Sequence, residues 1–258
     1  MDFLMRDDSK LTSAQWDAID KKVVEAARSV LVGRRLLDVY GPIGAGIQAI
    51  EAPEGGQVRP VEIPLLGEDV TLSWRELQTA ETLGIPLSLA NVASAAVSCA
   101  LQEDRLVFLG DEERGVDGIL TAPGVERVTR GDWSQGEAAF ADVAAGLQRM
   151  LENRTYGQKA LVVSPDVYVQ LQRIQPGTGT LEAARIAALI DGRILQTPTL
   201  PTGTAALVAT GEQNMDLVIG QDMVTAYLGN AGMDYELRVF ETVLPRLKNA
   251  HAVIVFEG

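Results

Sequence analysis

The chain contains one histidine, His251, and one cysteine, Cys99. A serine or cysteine nucleophile that relies on a histidine base would therefore have to use His251. That residue stands between Ala250 and Ala252 at the edge of a strand-like run, with no nucleophile elbow near it, and reads as a structural histidine. One Cys and one His cannot supply the usual zinc sets. Glu112, Glu113 and Asp117 leave a carboxylate-only site open, but their spacing within a glycine-rich turn reads as solvated surface. Gly41-Pro42-Ile43-Gly44-Ala45-Gly46 has the glycine content of a phosphate loop. It lacks the Lys-Ser/Thr of a P-loop and does not fit G-x-G-x-x-G, so it reads as the exit from a strand over Leu36 to Tyr40. No catalytic residue, no metal site and no enzyme activity are expected.

The elements that place these residues follow from periodicity. Ser88 to Gly118 organises the rest: Leu89, Val92, Ala93, Ala96, Val97, Ala100 and Leu101 recur on one helix face. Ser88 is a fitting cap and Gly110 a fitting stop, and small residues on the other sides suit a long central helix. Cys99 lies inside this pattern and reads as a small buried hydrophobe. Thr12 and Gln15 form a capping box for a first helix whose stripe, Trp16, Ile19, Val23, Ala27, Val30 and Leu31, ends at Gly33. From Gly46 to about Leu66, alternating Val58, Val61, Ile63 and Leu65 around Gly55-Gly56 predict a hairpin arm with little core of its own. Val70 to Trp74 reads as a strand and Arg75 to Thr82 as a short helix.

Beyond Val128 helix and strand alternate. Ser134 to Glu137 forms a capping box for a helix with Phe140, Val143, Ala144, Leu147 and Leu151 on one face, Ala160 to Val163 is a buried strand, and Ser164-Pro165 opens the next helix. The loop Gln175 to Thr180 has no large apolar or charged side chain and precedes a helix over Leu181 to Ile190. The last third is strand-rich, at Ala206 to Val208, Leu217 to Ile219, Leu237 to Val243 and Ala252 to Phe256.

Glu103-Asp104-x-x-Val107-Phe108-x-Gly110, followed by Gly115-Val116-x-Gly118-Ile119-Leu120, resembles the spine helix and following turn of encapsulins, nanocompartment shell proteins with the major-capsid fold of tailed bacteriophages. Five more pieces extend the likeness along nearly the whole chain: Leu11-Thr12 with Trp16 and Ile19-Asp20, LVGRRLLDVYGP, LSWREL, IGQDMVTAYLG and RVFETVLPRLKN. The resemblance implies an α+β subunit with an N-terminal helix, an extended loop, a peripheral domain with a spine helix, and an axial domain. Its expected boundaries are 1–45 and 70–127 for the N-terminal and central parts of the peripheral domain, 46–69 for the extended loop, 128–221 for the axial domain and 222–258 for C-terminal strands of the peripheral domain.

The same resemblance implies function. Many copies would close into an icosahedral shell, the smallest geometry being favoured by a short arm and no large insertion. A groove on the inner face would hold the C-terminal targeting peptide of a cargo protein; by position Val24, Ala27, Val30, Leu31, Leu36 and Asp38 are its candidates. Pro176, Gly177, Thr178, Gly179 and Thr180 would surround the fivefold pore. Trp74 is either an aromatic at a half-buried strand end or, as in some encapsulins, a stacking platform for a flavin, although Gly67-Glu68-Asp69 stands about where flavin-binding relatives offer an arginine. No cofactor is required. VVEAARSVLVGRRLLDVYGP and LSWRELQTAETLGIP look most similar to members that enclose ferritin-like iron-oxidising cargo. A dye-decolorising peroxidase cargo and a prophage capsid protein are the alternatives.

Composition sets bounds on these readings. Hydrophobic residues reach 47%, yet no apolar run approaches the roughly 20 residues that span a bilayer. The first residues, MDFLMRDDSK, are acidic where a secretory leader is basic and then apolar, so cytoplasmic residence and no membrane partner are expected. A net charge of -13 repels phosphate backbones, and no local basic patch points to nucleic acid.

Overall fold

Thr12 opens the first helix. In a computed structural model of the chain, which describes residues 3–54, 57–175 and 177–258, the Thr12 hydroxyl accepts from Gln15 N–H while the Gln15 side chain accepts from Thr12 N–H. Helix α1 then runs over Ser13–Val30 and buries Trp16, Ile19, Val23 and Ala27, the stripe expected of it. Gly33 does not end this helix; it begins a second, α2, over Gly33–Leu36. Asp104 causes the change of direction, since its carboxylate accepts from Val32 and Gly33 N–H at 2.8 to 3.1 Å. A Cβ on Gly33 would stand 3.1 Å from Val107 Cγ1, so the close approach, rather than the dihedral angle, selects glycine.

Strand β1, Asp38–Tyr40, pairs parallel to a later long strand, and the hairpin β2, Ala49–Glu54, with β3, Gln57–Glu62, follows. Its Gly55-Gly56 turn lies outside the described residues. Ala52 and Val61 are buried while Val58 is exposed, so the arm is anchored at its base. Strand β4 covers Leu65–Leu72, which moves 65–69 out of the arm and into the sheet. Trp74 is accordingly the first residue of helix α3, Trp74–Leu83, capped by Ser73, and not the end of a strand.

The central helix α4 spans Ala90–Leu109. Ser88 is not its cap, because the boundary residue is Leu89 and no side chain closes the terminus; Gly110 does end it, at φ +76°. Two-residue strands β5, Gly110–Asp111, and β6, Val116–Asp117, clip the glycine-rich turn that follows. Strand β7 is Glu126–Thr129. Helix α5, Ala138–Glu152, lacks the expected capping box: Ser134 donates to Asp132 and Glu137 closes the terminus without a side-chain bond. Its buried face is Ala139, Val143, Gly146 and Met150, rotated from the expected one, and Leu151 is exposed. Gly146 permits this, because Phe256 and Leu207 press to within 3.1 and 3.2 Å of where a Cβ would stand.

The remaining elements are β8, Lys159–Val163; α6, Pro165–Leu171; α7, Glu182–Ile190; β9, Arg193–Gln196; β10, Ala205–Ala209; β11, Met215–Ala231; β12, Asp234–Leu247; and β13, Val253–Glu257. They complete a four-stranded sheet, β1-β11-β12-β4, and a five-stranded sheet, β7-β13-β10-β8-β9. Helix α4 packs on β4 and β12, and α1 packs on α4. Strand β13 sits between β7 and β10, so the last residues of the 222–258 segment join the five-stranded sheet and not the one beneath α4. Main-chain pairing decides this: Ile254 to Phe256 pair with both β7 and β10, Val253 pairs with β10, and all four side chains are buried.

Candidate functional site

The last turns of α1 turn only one side to the core. Val23 and Ala27 are buried, whereas Val24 and Arg28 face outward. Ala27 and Leu31 pack with Ala100 of α4, with Val30 and Met223 against them, as a small apolar cluster apart from the main core. Met223 reaches this cluster because β11 carries irregular register between Gln221 and Val224, opposite Thr242 and Phe240 of β12. Such a bulge re-aims a side chain out of the ordinary alternation. The result is an open groove of about 300 Å³ lined by Val24, Ala27, Arg28, Leu31, Arg34, Arg35, Asp222 and Met223.

Its floor is tied to the interior by charge. Arg34 Nε and Nη2 donate to Glu103 at 2.7 to 2.9 Å, Nη2 donates to Glu241 at 2.6 Å, and Nη1 donates to Asp222 at 2.6 Å. Glu103 of α4 and Glu241 of β12 are fully buried. Burial opposes the Arg34 charge, yet hydrogen bonding and attraction from Glu103, with Glu241 and Asp222, hold its pKa above the usual arginine value. Burial, reinforced by the Glu103 charge against the pull of Arg34, pushes Glu241 well above the usual carboxylate range. Cys99, 3.7 Å from Glu241, is pushed up by burial and by both acids, which makes it an inert thiol.

Of the residues expected at a groove, Val24, Ala27 and Leu31 line it together and Val30 packs behind them. Leu36 is buried in the main core, and Asp38 stands exposed on β1; neither lines this groove. Arg28, Arg34, Arg35, Asp222 and Met223 were not legible as its members. A signal for the buried charge existed: Glu103 lies four residues after Cys99 and four before Val107, within a continuous apolar helix face.

The other candidates are dispersed. Gly177, Thr178, Gly179 and Thr180 are exposed, beyond an Ile174–Leu181 bridge, and Pro176 lies outside the described residues. Gln175 beneath them is buried and donates to Glu137 at 2.7 Å. Trp74 is half-buried, its backbone N–H donates to Asp234, and the Arg75 guanidinium lies 5.6 Å from its ring. The pocket beside α3, lined by Arg75, Glu76, Thr79, Ala80, Ile85, Pro86 and Ser88, does not include Trp74. Asp69 nearby on β4 is paired with Arg238. In the Gly41 to Gly46 loop, Ile43 N–H and Gly44 N–H are spent on Ile219 and Gly220 carbonyls, which leaves those donors unavailable to a phosphate. His251 is exposed on a 3-10 turn, and Glu112 and Glu113 are exposed. Among the described residues no helix is long and apolar enough to cross a membrane.

Comparison with known proteins adds to this geometry. A family described as encapsulating protein for peroxidase matches residues 1–244. The chain is 36% identical to the type 1 encapsulin shell protein of Myxococcus xanthus, over 100% of this chain and 97% of that one. It is 26% identical to a ferritin-like-encapsulin shell fusion protein of Pyrococcus furiosus, over 96% of this chain and 67% of that one. Among solved structures, a virus-like particle from Pyrococcus furiosus superposes with a TM-score of 0.79 at 22% identity, covering 94% of this chain and 99% of the other. The capsid of the phage XM1 superposes with a TM-score of 0.61 at 14% identity, over 86% and 89% of the two chains. The mixed α and β fold is therefore that of phage major capsid proteins, as the spine-helix pattern implied.

Proposed function

We propose, from the premise that this chain belongs to the encapsulin shell-protein family, that its copies close into a small icosahedral cytoplasmic cage whose inner-face groove holds the C-terminal segment of an enclosed enzyme. The observation that carries this reading is the groove itself: Val24, Ala27, Leu31 and Met223 offer apolar surface over α1 and the β11 bulge, with Arg28 and Arg35 on the rim. An extended segment with apolar anchors gains most of its hold from such a surface. The family resemblance of the α1-to-β1 and α3 stretches supports a ferritin-like iron-oxidising guest, and the shell itself performs no reaction. The exposed loop at Gly177 to Thr180 supports a pore lined by glycine and hydroxyl groups with little charge preference.

The test is electron microscopy of the purified protein with mass spectrometry of what co-purifies. Protein-filled shells are expected; DNA-filled heads or a small soluble oligomer would overturn the reading. Val24 is 42% exposed, so Val24→Asp should leave the shell closed while emptying it of guest. Equal filling of wild-type and variant shells would remove the groove from the account.

A further inference from the structure

The groove floor holds more acid than its one cation can balance. Among the described residues Arg34 is the one basic side chain bonded to Glu103 and Glu241, and both carboxylates are fully buried. Asp222 takes the third arm of the same guanidinium but is more than half exposed, where solvent screens it. Around the pair, α4 contributes Cys99, an inert thiol, and Asp104, which is spent on Val32 and Gly33 N–H. From β4, Glu68 turns to Ser98 and Gln102. No second buried cation therefore offsets the second carboxylate among the described residues. A buried, uncompensated carboxylate is costly, and two acids held on the same guanidinium nitrogen, Arg34 Nη2 at 2.7 and 2.6 Å, relieve that cost by keeping a single proton between them.

We propose that Glu103 and Glu241 hold one proton between them and, with Arg34, form a pH-sensitive clasp beneath the groove. With one proton on the pair, Arg34 faces one carboxylate and one neutral acid. The clasp joins α2, α4, β11 and β12 at one atom group, so its charge state is read by four elements at once. Loss of the proton leaves two buried negative charges on one guanidinium and loosens the segment that carries Arg34 and Asp222 in the groove wall. The clasp stands whether or not the groove takes a guest, because its measure is the proton and not occupancy.

The sign follows from linkage. A carboxyl that stays protonated when folded and ionises when unfolded makes stability fall as pH rises from the ordinary carboxylate range to its own raised value, and level off above that. The experiment is infrared spectroscopy of the assembled wild-type shell at pH 8, where exposed acids are ionised. A carboxylic-acid carbonyl band that moves on ¹³C-glutamate labelling and is absent from Glu241→Gln is expected; absence of such a band from the wild type overturns the proposal. Thermal melting supplies the second measure. Relative to Glu241→Gln, which cannot ionise, the wild-type melting temperature should fall progressively from pH 5 to pH 9; parallel pH profiles would refute the clasp. If Glu241→Gln fails to fold, the labelled wild-type band alone decides.

Discussion

Asp104 shows how a single carboxylate can fix a change of chain direction. It accepts from the N–H groups of Val32 and Gly33, and burial, against those two hydrogen bonds, pushes its pKa from 3.8 up to about 6. Because the folded value is raised, its contribution is present below the unfolded value and is lost as pH rises toward 6. About two pKa units correspond to about 3 kcal/mol. Asp104→Asn should therefore flatten the fall in thermal stability between pH 4 and pH 6, and calorimetry across that window checks it. Gly110 is a second decisive residue: a Cβ there would stand 2.3 Å from the Val116 carbonyl at φ +76°. Gly110→Ala should cost about 3 kcal/mol or more and lower soluble yield, measured by thermal melting of whatever folds. Gly110 was legible because a stop was needed after the α4 stripe, but the buried acids were not. Glu103 and Asp104 enter the sequence reading only through the spine-helix resemblance, and packing of α2 and β12 onto α4 is what buries them.

At the scale of elements, the groove is a product of two irregularities, the break between α1 and α2 and the bulge in β11. Periodicity predicted α1 and a stripe that includes Ala27 and Leu31, and the family resemblance added Val24, but a bulge leaves no periodic trace. Met223 reads as one residue of a continuous strand until its register with β12 is known. Replacing Met223 with Ala removes apolar surface from the groove and from the Ala27–Leu31–Ala100 cluster. Weaker guest retention and a stability loss on the order of 2 kcal/mol are expected, since the side chain is only half-buried. Co-purified guest per shell and melting temperature measure the two effects separately. For α5, the capping signal at Ser134 was misleading because Asp132 claims the Ser134 N–H and hydroxyl.

At the scale of the whole molecule, the β2–β3 arm is anchored by Ala52 and Val61 and leaves Val58 70% exposed. A two-stranded arm has little stability of its own and gains it from a neighbour. Val58→Asp should leave the isolated subunit folded but impair closure, so that light scattering reports partial assemblies with unchanged circular dichroism. The sequence by itself determined the family, the fold class, the start and buried stripe of α1 and the existence of α4, because these rest on motif pattern, local periodicity and capping. Tertiary structure alone decided that β13 pairs between β7 and β10, that Leu36 turns into the core, and that Arg34 meets two buried acids. Those facts depend on contacts between residues as far as 207 positions apart, and no local pattern encodes which distant partner will satisfy a buried charge or an open strand edge.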